Sequence, residues 1–321
     1  MSGRQLIVLG TASQAPTRHR HHNSYAVRWD DQLVLFDPGE GTQRQAILAG
    51  IAIARLSAVC ITHFHGDHCL GLPGVIQRRA LDNRSSGDRE PEPLPVLFPA
   101  EGEVYFERLR TASIFHDTSR AVPRPIPAGS PDRPAPPPGV VADLGPSARL
   151  SAAPLSHRVP TLGYRIDEPD GRRLDAEALA RRGVTGPDVG RLVAQGWLDT
   201  PAGRVTIDEV SHPRPGQSLA VVMDTAPCEG AEELAQGVDL LVCESTFLHR
   251  DRELAQRFRH MTALQAATLA SRAGARRLVL THFSARYDDP ELFAREAATV
   301  HPDVVVAHDL LTVDVPARWP A

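Results

Sequence analysis

The sequence predicts a mixed α/β fold built on short strands. In the first half of the chain, apolar runs of strand length alternate with polar turns, as in QLIVLG, SYAVRW, QLVLFD and AVCITHF. Helical patterns such as ALQAATLASRAG and ELFAREAATV lie in the second half, where strands recur as SLAVVMD, VDLLVCE, RRLVLTHF and DVVVAHDLLTVDV. The 321 residues suffice for one large domain or two ordinary ones with a sizeable core.

The composition argues against secreted and membrane-spanning classes. Hydrophobic residues make up 42% and charged residues 23% of the chain, which is typical of a soluble globular protein. No run approaches the roughly 18 apolar residues of a membrane span, and the N-terminus MSGRQLIVLG lacks the plan of a signal peptide. The cysteines Cys60, Cys69, Cys228 and Cys243 show no CxxC spacing, so we expect reduced thiols and a cytoplasmic protein.

The charge balance limits the ways in which a nucleic acid could bind. Arginine supplies all 35 cationic residues against 39 acidic ones, for a net charge of −4, and lysine is absent. A guanidinium binds phosphate in a bidentate way, although a GC-rich genome explains the same bias and is the preferred interpretation. Any nucleic-acid partner must therefore bind a local basic patch.

Residues 121–147, AVPRPIPAGSPDRPAPPPGVVADLGPS, are predicted to form a long proline-rich surface loop. Proline removes backbone donors and excludes a regular helix or a central strand. We expect the loop to interrupt a domain rather than to end one, because the motifs on its two sides depend on each other.

A metal site is predicted at residues 61–68, where a strand ends near Thr62 and is followed by His63-Phe-His65-Gly-Asp67-His68. The turn gathers three imidazoles and a carboxylate within six positions. Nitrogen and oxygen ligands at this spacing favour a borderline metal such as zinc over calcium or magnesium.

The HxHxDH cluster resembles the signature of the metallo-β-lactamase superfamily, whose fold is an αββα four-layer sandwich. Other motifs resemble the ribonuclease Z family, the tRNA 3′-processing endonucleases, in order and approximate spacing. They are LGTASQAPT, NSYAVRWDDQLVLFDPGEGTQRQ, PLSHRVPTLGYRI, VVMDTAP, CEST, RHMTA and LTHFSARY. The resemblance covers the chain from its first strand nearly to its end.

The resemblance implies two zinc ions per subunit. It assigns His63, His65 and His157 to one ion, and Asp67, His68 and His282 to the other, with Asp224 as the bridge. The residues add that His157 and His282 each end an apolar run, which places them at a sheet rim as His63 is. We expect Asp37, at the end of LVLFD, to orient a ligand rather than to bind metal.

The implied chemistry is phosphodiester hydrolysis by metal-bound hydroxide, with Asp67 as the proton acceptor. The pair Glu244 and His260 resembles the family's proton donors, although CEST and HMT replace its HEAT and HST motifs. Alternatively, Glu244 caps a strand end and His260 precedes a helix that Thr262 N-caps. Ser284, Arg286 and Tyr287 resemble phosphate contacts, and Arg286 could equally form a surface ion pair.

Residues 174–198 are predicted to form two short helices broken at Gly183–Pro187, with arginines at 172, 173, 181, 182 and 191. This segment resembles the flexible arm of ribonuclease Z, an exosite for the tRNA elbow marked by a Gly-Pro pair, here Gly186 and Pro187. We place the arm at about 170–215, inserted in a single domain spanning 1–321. The family continues with Gly-Lys-Leu-Lys, whereas this chain has Gly190-Arg191-Leu192-Val193.

The resemblance therefore implies a zinc-dependent endoribonuclease, a homodimer that removes the 3′ trailer from tRNA precursors and leaves a 3′-hydroxyl on the tRNA and a 5′-phosphate on the trailer. One alternative is a small-molecule phosphodiesterase or another hydrolase of the same fold. The other is a non-catalytic metal-binding or RNA-binding module, against which the seven ligands argue.

Overall fold

Contacts within the chain divide it into two units. The computed structural model describes residues 3–85, 91–129 and 139–318. The large unit comprises Met1–Asp167 and Ser218–Ala321, and the small unit comprises Glu168–Gln217. The small unit covers nearly the same residues as the arm predicted at about 170–215.

The first sheet of the large unit has seven strands in the order β18-β1-β2-β3-β4-β5-β6. Numbered in chain order, these are β1 (Gln5–Gly10), β2 (Ser24–Trp29), β3 (Gln32–Phe36), β4 (Ala58–Cys60), β5 (Leu94–Pro99), β6 (Ala121–Ile126) and β18 (Thr312–Asp314). Pairing is antiparallel from β18 to β3 and parallel from β3 to β6.

The second sheet of the large unit also has seven strands, in the order β17-β16-β15-β14-β9-β8-β7. These are β7 (Gly139–Asp143), β8 (Arg149–Leu155), β9 (Thr161–Asp167), β14 (Ser218–Val222), β15 (Leu240–Glu244), β16 (Arg277–Thr281) and β17 (Val304–Val306). Strands β14 to β17 are parallel, whereas β9 runs antiparallel to both β14 and β8. It follows that β8 and β14 run in the same direction.

Helices cover the outer faces of both sheets. They are α1 (Thr42–Leu48), α2 (Gly66–Cys69), α3 (Leu72–Ser85), α4 (Glu103–Arg110), α7 (Glu229–Ala235), α8 (Arg252–Phe258), α9 (Ala263–Ala273) and α10 (Glu291–Ala297). In the described part of the chain, no helix combines the length and apolar character that crossing a bilayer requires.

The two-residue period of the strands produces three apolar layers. In β1, for example, Leu6 and Val8 face the second sheet, and Ile7 and Leu9 face the helices. A central core between the sheets joins residues of both, including Trp29 and Tyr164, while α7, α9 and α10 pack on the far side of the second sheet. The large unit is therefore an αββα four-layer sandwich, and the predicted fold class is confirmed.

The two ends of the proline-rich segment are strands rather than loop. Ala121–Ile126 is β6 and Gly139–Asp143 is β7, and each is the last strand of its sheet. Proline is tolerated at a sheet edge, where its missing N–H faces no partner strand. The prediction of one loop over 121–147 was wrong for these strands, and residues 130–138 lie outside the described residues.

The small unit has its own core. It contains β10 (Gly171–Leu174), α5 (Ala176–Arg181), α6 (Pro187–Gln195), β11 (Trp197–Thr200), β12 (Gly203–Thr206) and β13 (Ser211–Arg214). Strands pair as β10 with β13 and β11 with β12, over buried residues such as Leu179 and Leu192. The two helices are separated at Gly183–Pro187, as the sequence predicts: Gly183 and Gly186 have positive φ there, and Pro187 begins α6.

Candidate metal and catalytic site

Five predicted site residues lie at or just beyond the carboxyl ends of strands in the large unit. His63 follows β4, His157 follows β8, Asp224 follows β14, Glu244 ends β15 and His282 follows β16. Because β8, β14, β15 and β16 run in one direction, their ends meet at one edge of the second sheet. The tertiary structure thus brings together residues up to 219 positions apart in the sequence, from 63 to 282.

Glycines allow the motif FDPGEG to approach the HxHxDH turn closely. A Cβ on Gly71 would lie 2.0 Å from the carbonyl oxygen of Gly39, and a Cβ on Gly39 would lie 2.3 Å from the carbonyl oxygen of Asp67. Gly71 also donates its N–H to the Pro38 carbonyl at 2.8 Å. The two loops can therefore pack backbone to backbone, which holds Asp37 beside the histidines.

The first ligand group combines His63, His65, His157 and Asp224, whose ligand atoms lie within 4.8 Å of one another. His63 Nε2 is 2.8 Å from His65 Nδ1 and 3.6 Å from Asp224 Oδ2. His157 Nε2 lies 3.8 Å from the same carboxylate oxygen. Three imidazoles and a carboxylate oxygen thus surround one point.

The second group combines Asp67, His68 and His282, and Asp224 joins it through its other oxygen. Asp67 Oδ2 is 3.5 Å from Nε2 of both His68 and His282. Asp224 Oδ1 lies 3.3 Å from His68 Nε2 and 3.2 Å from His282 Nε2. Because its two oxygens face different groups, Asp224 has the geometry of a carboxylate shared by two ions.

The unpartnered polar atoms at this site fit metal ions. Within residues 3–85, 91–129 and 139–318, the buried atoms without a hydrogen-bond partner include His68 Nε2, His157 Nε2, His282 Nε2 and Asp224 Oδ1. Burying such atoms without a partner is costly unless a cation uses their lone pairs. The mixture of imidazole and carboxylate is the donor set that zinc and similar divalent metals prefer.

Two threonine hydroxyls connect candidate ligand histidines to buried carboxylates. Thr62 Oγ1 donates to Asp37 Oδ2 at 2.8 Å and so accepts from His63 Nδ1 at 3.0 Å. Thr246 Oγ1 donates to Glu244 Oε2 at 2.6 Å and so accepts from His282 Nδ1 at 2.9 Å. In both histidines, Nδ1 carries the proton and Nε2 keeps its lone pair for a metal.

Asp37 hydrogen-bonds a candidate ligand from behind, which is the place expected for it from the sequence. Its Oδ2 accepts from His68 Nδ1 at 2.8 Å and from Asn23 Nδ2 at 3.2 Å, and its Oδ1 accepts from the Thr62 N–H at 2.7 Å. The side chain of Asp37 is fully buried. It therefore orients His68 and Thr62 from behind the ligands.

Burial keeps the first group of histidines in the form that binds metal. It lowers the pKa of His63 well below the usual value, lowers that of His65, and lowers that of His157 to about 4. Burial alone would raise the pKa of Asp224, but the imidazoles of His282 and His68 outweigh it and hold that pKa well below the ordinary range. Neutral imidazoles and an ionised carboxylate are the ligating states.

Glu244 and His260 form a buried hydrogen-bonded pair. His260 Nδ1 donates to Glu244 Oε1 at 2.9 Å, and the same oxygen accepts from the Thr225 N–H at 2.7 Å. Burial would lower the pKa of His260, but the carboxylates of Glu244 and Asp224 raise it to about 9. His260 Nδ1 also lies 4.0 Å from Asp224 Oδ2. His260 can therefore carry a proton beside the metal ligands.

His260 has geometry for a second role. Together with Asp224 and His282, it forms a third group of possible ligands. Its Nδ1, however, is already bonded to Glu244, so the hydrogen-bonded pair describes His260 better than metal ligation.

In the motif HFSARY, Ser284 and Arg286 are at least partly exposed, whereas Tyr287 is buried. Arg286 is exposed, its Nε donates to Ser284 Oγ at 3.3 Å, and its guanidinium lies 5.2 Å from the ring centroid of Phe247. Tyr287 is buried, and its hydroxyl bonds Asp251 and the Leu248 N–H. Ser284 and Arg286 are thus available to a ligand, whereas the Tyr287 hydroxyl is used inside the large unit.

Gly186 and Pro187 lie at the start of α6 in the small unit. Four of the five arginines predicted for the arm form ion pairs within that unit: Arg172 with Asp208, Arg181 with Glu177, Arg182 with Glu209, and Arg191 with Asp188. Exposed ion pairs are weak, so these guanidinium groups can exchange a carboxylate for a phosphate.

Sequence reasoning missed Thr246 and the backbone conformation of three site residues. Thr246 stands inside the motif CEST, so the motif itself was the available signal. Asp37, Asp224 and His282 have φ of 48°, 43° and 61°, a left-handed conformation that is rare for residues other than glycine. Such conformations cluster at functional sites, where surrounding contacts maintain them.

Comparisons with known proteins agree with this geometry. Residues 17–174 match the family model for the metallo-beta-lactamase superfamily. Ribonuclease Z of Streptomyces avermitilis is 50% identical over 99% of this chain and 100% of its own length, and that of Streptomyces coelicolor is 51% identical over the same shares. The crystal structure of human tRNase Z, short form, has a TM-score of 0.69 at 22% identity, covering 97% of this chain and 99% of that one, and shows a shared fold.

Proposed function

This chain belongs to the ribonuclease Z family, and we propose on that basis that it is an endoribonuclease that removes the 3′ trailer from tRNA precursors. The observation that carries the proposal is the meeting of the motif residues at one sheet edge. His63, His65, Asp67, His68, His157, Asp224 and His282 all contribute atoms to two adjoining groups of possible ligands. A chain half identical to ribonuclease Z over its full length thus retains a complete candidate centre.

We propose zinc as the metal, at about two ions per chain. His63, His65 and His157 would hold one ion, Asp67, His68 and His282 the other, and Asp224 both. When bound, the ions would neutralise charge on the phosphate oxygens and make a water acidic enough to attack at neutral pH. The unpartnered nitrogens of His68, His157 and His282 support this assignment.

The proposed proton acceptor is Asp67. Its Oδ2 accepts the Gln14 N–H at 2.7 Å, and this bond fixes the carboxylate against His68 and His282. His260 is the proposed donor to the departing 3′-oxygen, and Glu244 holds its ring by the 2.9 Å bond to Nδ1. The two proposed proton-transfer groups thus come from different loops: Asp67 would take a proton from the attacking water, and His260 would give one to the departing oxygen.

The rim of the site supports an anionic substrate. Arg158 and Arg257 each hold a guanidinium 5.4 Å from the ring centroid of Phe258, and Arg286 stacks on Phe247. All three arginines are exposed, and in the described part of the chain none forms an ion pair with a carboxylate. Guanidinium groups supported by aromatic rings are suited to RNA phosphates and bases.

The small unit is the proposed tRNA exosite, with Gly186 and Pro187 at its marker position, and Ser284 and Arg286 are proposed phosphate contacts. We also propose a cytoplasmic homodimer. Two adjacent exposed apolar side chains on α1, Ile47 and Leu48, support a protein contact there. Light scattering coupled to size exclusion should give about twice 34.8 kDa.

A cleavage assay on a precursor tRNA with a 3′ trailer tests the function. We expect a tRNA ending in a 3′-hydroxyl and a trailer beginning with a 5′-phosphate, because water rather than the 2′-hydroxyl attacks. A 2′,3′-cyclic phosphate would contradict this chemistry. Hydrolysis of bis(p-nitrophenyl) phosphate without precursor cleavage would instead favour a small-molecule phosphodiesterase.

A further inference from the structure

His157 differs from His63, His68 and His282 in the hydrogen-bond partner of its Nδ1 atom. In His63, His68 and His282 this nitrogen contacts a side-chain oxygen. In His157 it donates to the backbone carbonyl of Arg259, at 3.1 Å. A carbonyl oxygen can only accept, so Nδ1 must carry the proton and Nε2 must keep its lone pair.

Arg259 also binds back to the same residue. Its Nη1 donates to the backbone carbonyl of His157 at 2.9 Å, so two hydrogen bonds run in opposite directions between residues 102 positions apart. One bond fixes the ring of His157 and the other fixes its main chain. The pair prevents the loop after β8 from moving independently of the loop after α8.

Arg259 has an unfavourable backbone conformation, and its two hydrogen bonds to His157 give a reason for an arginine at this position. Arg259 follows the last residue of α8 with φ 56° and ψ 54°, the left-handed conformation that glycine usually adopts at a helix end. A residue with a Cβ adopts this conformation less favourably than glycine does. The guanidinium that contacts His157 is a feature that glycine could not supply.

Arg259 further connects the ligand to the proposed proton donor. The next residue is His260, whose ring centroid is 5.0 Å from that of His157 and whose Nδ1 bonds Glu244. The peptide between Arg259 and His260 therefore carries the acceptor for one histidine and positions the other.

We propose that Arg259 is a positioning residue for the metal site. Its guanidinium and carbonyl together set the tautomer and orientation of His157, so that Nε2 points toward Asp224 and His63. This inference rests on the proposed metal-dependent function, and it assigns to an exposed arginine a role in metal affinity rather than in RNA contact.

The test measures zinc affinity of metal-stripped protein by competition with a chromogenic chelator. Arg259→Ala keeps the carbonyl that accepts from His157 Nδ1 but removes the guanidinium bond to the main chain of His157. We therefore expect one of about two zinc equivalents to bind roughly 10-fold more weakly, the lower end of the loss when support behind a ligand is removed. The stripped variant should unfold at a temperature only slightly below that of wild type, because it loses a single hydrogen bond made by an exposed side chain. Arg259→Lys, which keeps a donor and the charge, should recover part of the affinity.

Two comparison variants separate the loss of the Arg259–His157 hydrogen bond from a general loss of positive charge and from a change in backbone strain. Arg252→Ala removes an exposed arginine from α8, the helix that precedes Arg259. Arg252 makes no bond to His157, so the variant should bind zinc as wild type does. Arg259→Gly relieves the strained φ while removing the guanidinium, and should be as weak as Arg259→Ala.

Three outcomes would overturn the inference: wild-type affinity in Arg259→Ala, an equal loss in Arg252→Ala, or full affinity in Arg259→Gly. Failure of the proposed function has a different signature, namely a wild-type chain that binds zinc normally and leaves precursor tRNA intact.

Discussion

Thr62 and Thr246 make the same pattern of hydrogen bonds, one after a strand of the first sheet and the other after a strand of the second. Each hydroxyl accepts a hydrogen bond from a candidate ligand, His63 or His282, and donates its own hydrogen to a buried carboxylate, Asp37 or Glu244. In each case a short hydroxyl side chain just beyond a strand end connects a buried carboxylate to an imidazole and so helps to fix the orientation of that ring. The arrangement makes both hydroxyls testable by small changes of shape.

Replacing Thr246 by valine should impair the site while leaving its volume nearly unchanged. The variant loses the donor to Glu244 and the acceptor for His282, so both are left buried with fewer partners. We expect a roughly 10- to 100-fold loss in zinc affinity or in kcat. Thr246→Ser keeps the hydroxyl and should restore most of both, and equal activity of the valine and serine variants would contradict the hydroxyl's role.

Asp37→Asn should weaken the site at His68. An amide oxygen accepts more weakly than a carboxylate, and the buried bonds to His68 Nδ1, to Asn23 and to Thr62 all depend on Asp37. The expected result is a zinc affinity about 10- to 100-fold lower at one equivalent, measured by the same chelator competition. Asp30→Asn, which alters a carboxylate paired with Arg4 elsewhere in the large unit, is the control and should bind zinc normally.

The stability of the metal-free protein should depend on pH through His260. Its pKa is raised to about 9, so the stabilisation is complete below the unfolded pKa of about 6.5 and is lost as pH rises through about 9. The difference in unfolding free energy between wild type and His260→Gln should shrink by on the order of 3 kcal/mol between pH 6 and pH 10. Urea unfolding in the presence of a chelator measures it, and a difference that grows with pH would refute the assignment.

Arg79 should matter for stability and not for chemistry. This buried side chain donates to the backbone carbonyls of four residues in three segments: Ser119, Ala54, Leu56 and Glu92. Arg79→Met leaves those acceptors without a partner and should destabilise the fold by about 3 kcal/mol or more in urea unfolding. Zinc content of the folded fraction should stay at the wild-type value, and a stability within about 0.5 kcal/mol of wild type would contradict the expectation.

Excising the small unit should separate chemistry from RNA binding. Asp167 and Ser218 are directly opposed partners in β9 and β14, so an Asn-Gly turn can join them when Glu168–Gln217 is removed. The product should hydrolyse bis(p-nitrophenyl) phosphate as wild type does, because every candidate ligand lies outside the deletion. Precursor cleavage should fall steeply, and each lost phosphate contact should lower the salt slope of tRNA binding by about 0.7 to 0.9. Undiminished precursor processing would refute the exosite.

Local sequence determined much of the fold and of the site. The two-residue and helical periodicities predicted the strands and helices around the two cores, since these patterns reflect burial on one face. The HxHxDH turn predicted a metal site from neighbouring residues, and the resemblance of the other motifs to the ribonuclease Z family implied the remaining candidate ligands. Proline at 123 and 125 correctly excluded a central strand, yet it could not exclude the edge strand β6, because only the sheet order decides which strands have a free edge.

Tertiary structure alone decided how the candidate ligands are held. Arg259 carries no signal of its own in the sequence, and the place of Thr246 in the motif CEST does not reveal its partner. The residues they bond, His157 and His282, are distant along the chain and become neighbours only when strand ends meet. The left-handed φ of Asp37, Asp224 and His282 likewise arises where contacts from several loops outweigh the local preference of the backbone. Residue types are set by local chemistry, whereas orientation at a shared site depends on packing between distant segments.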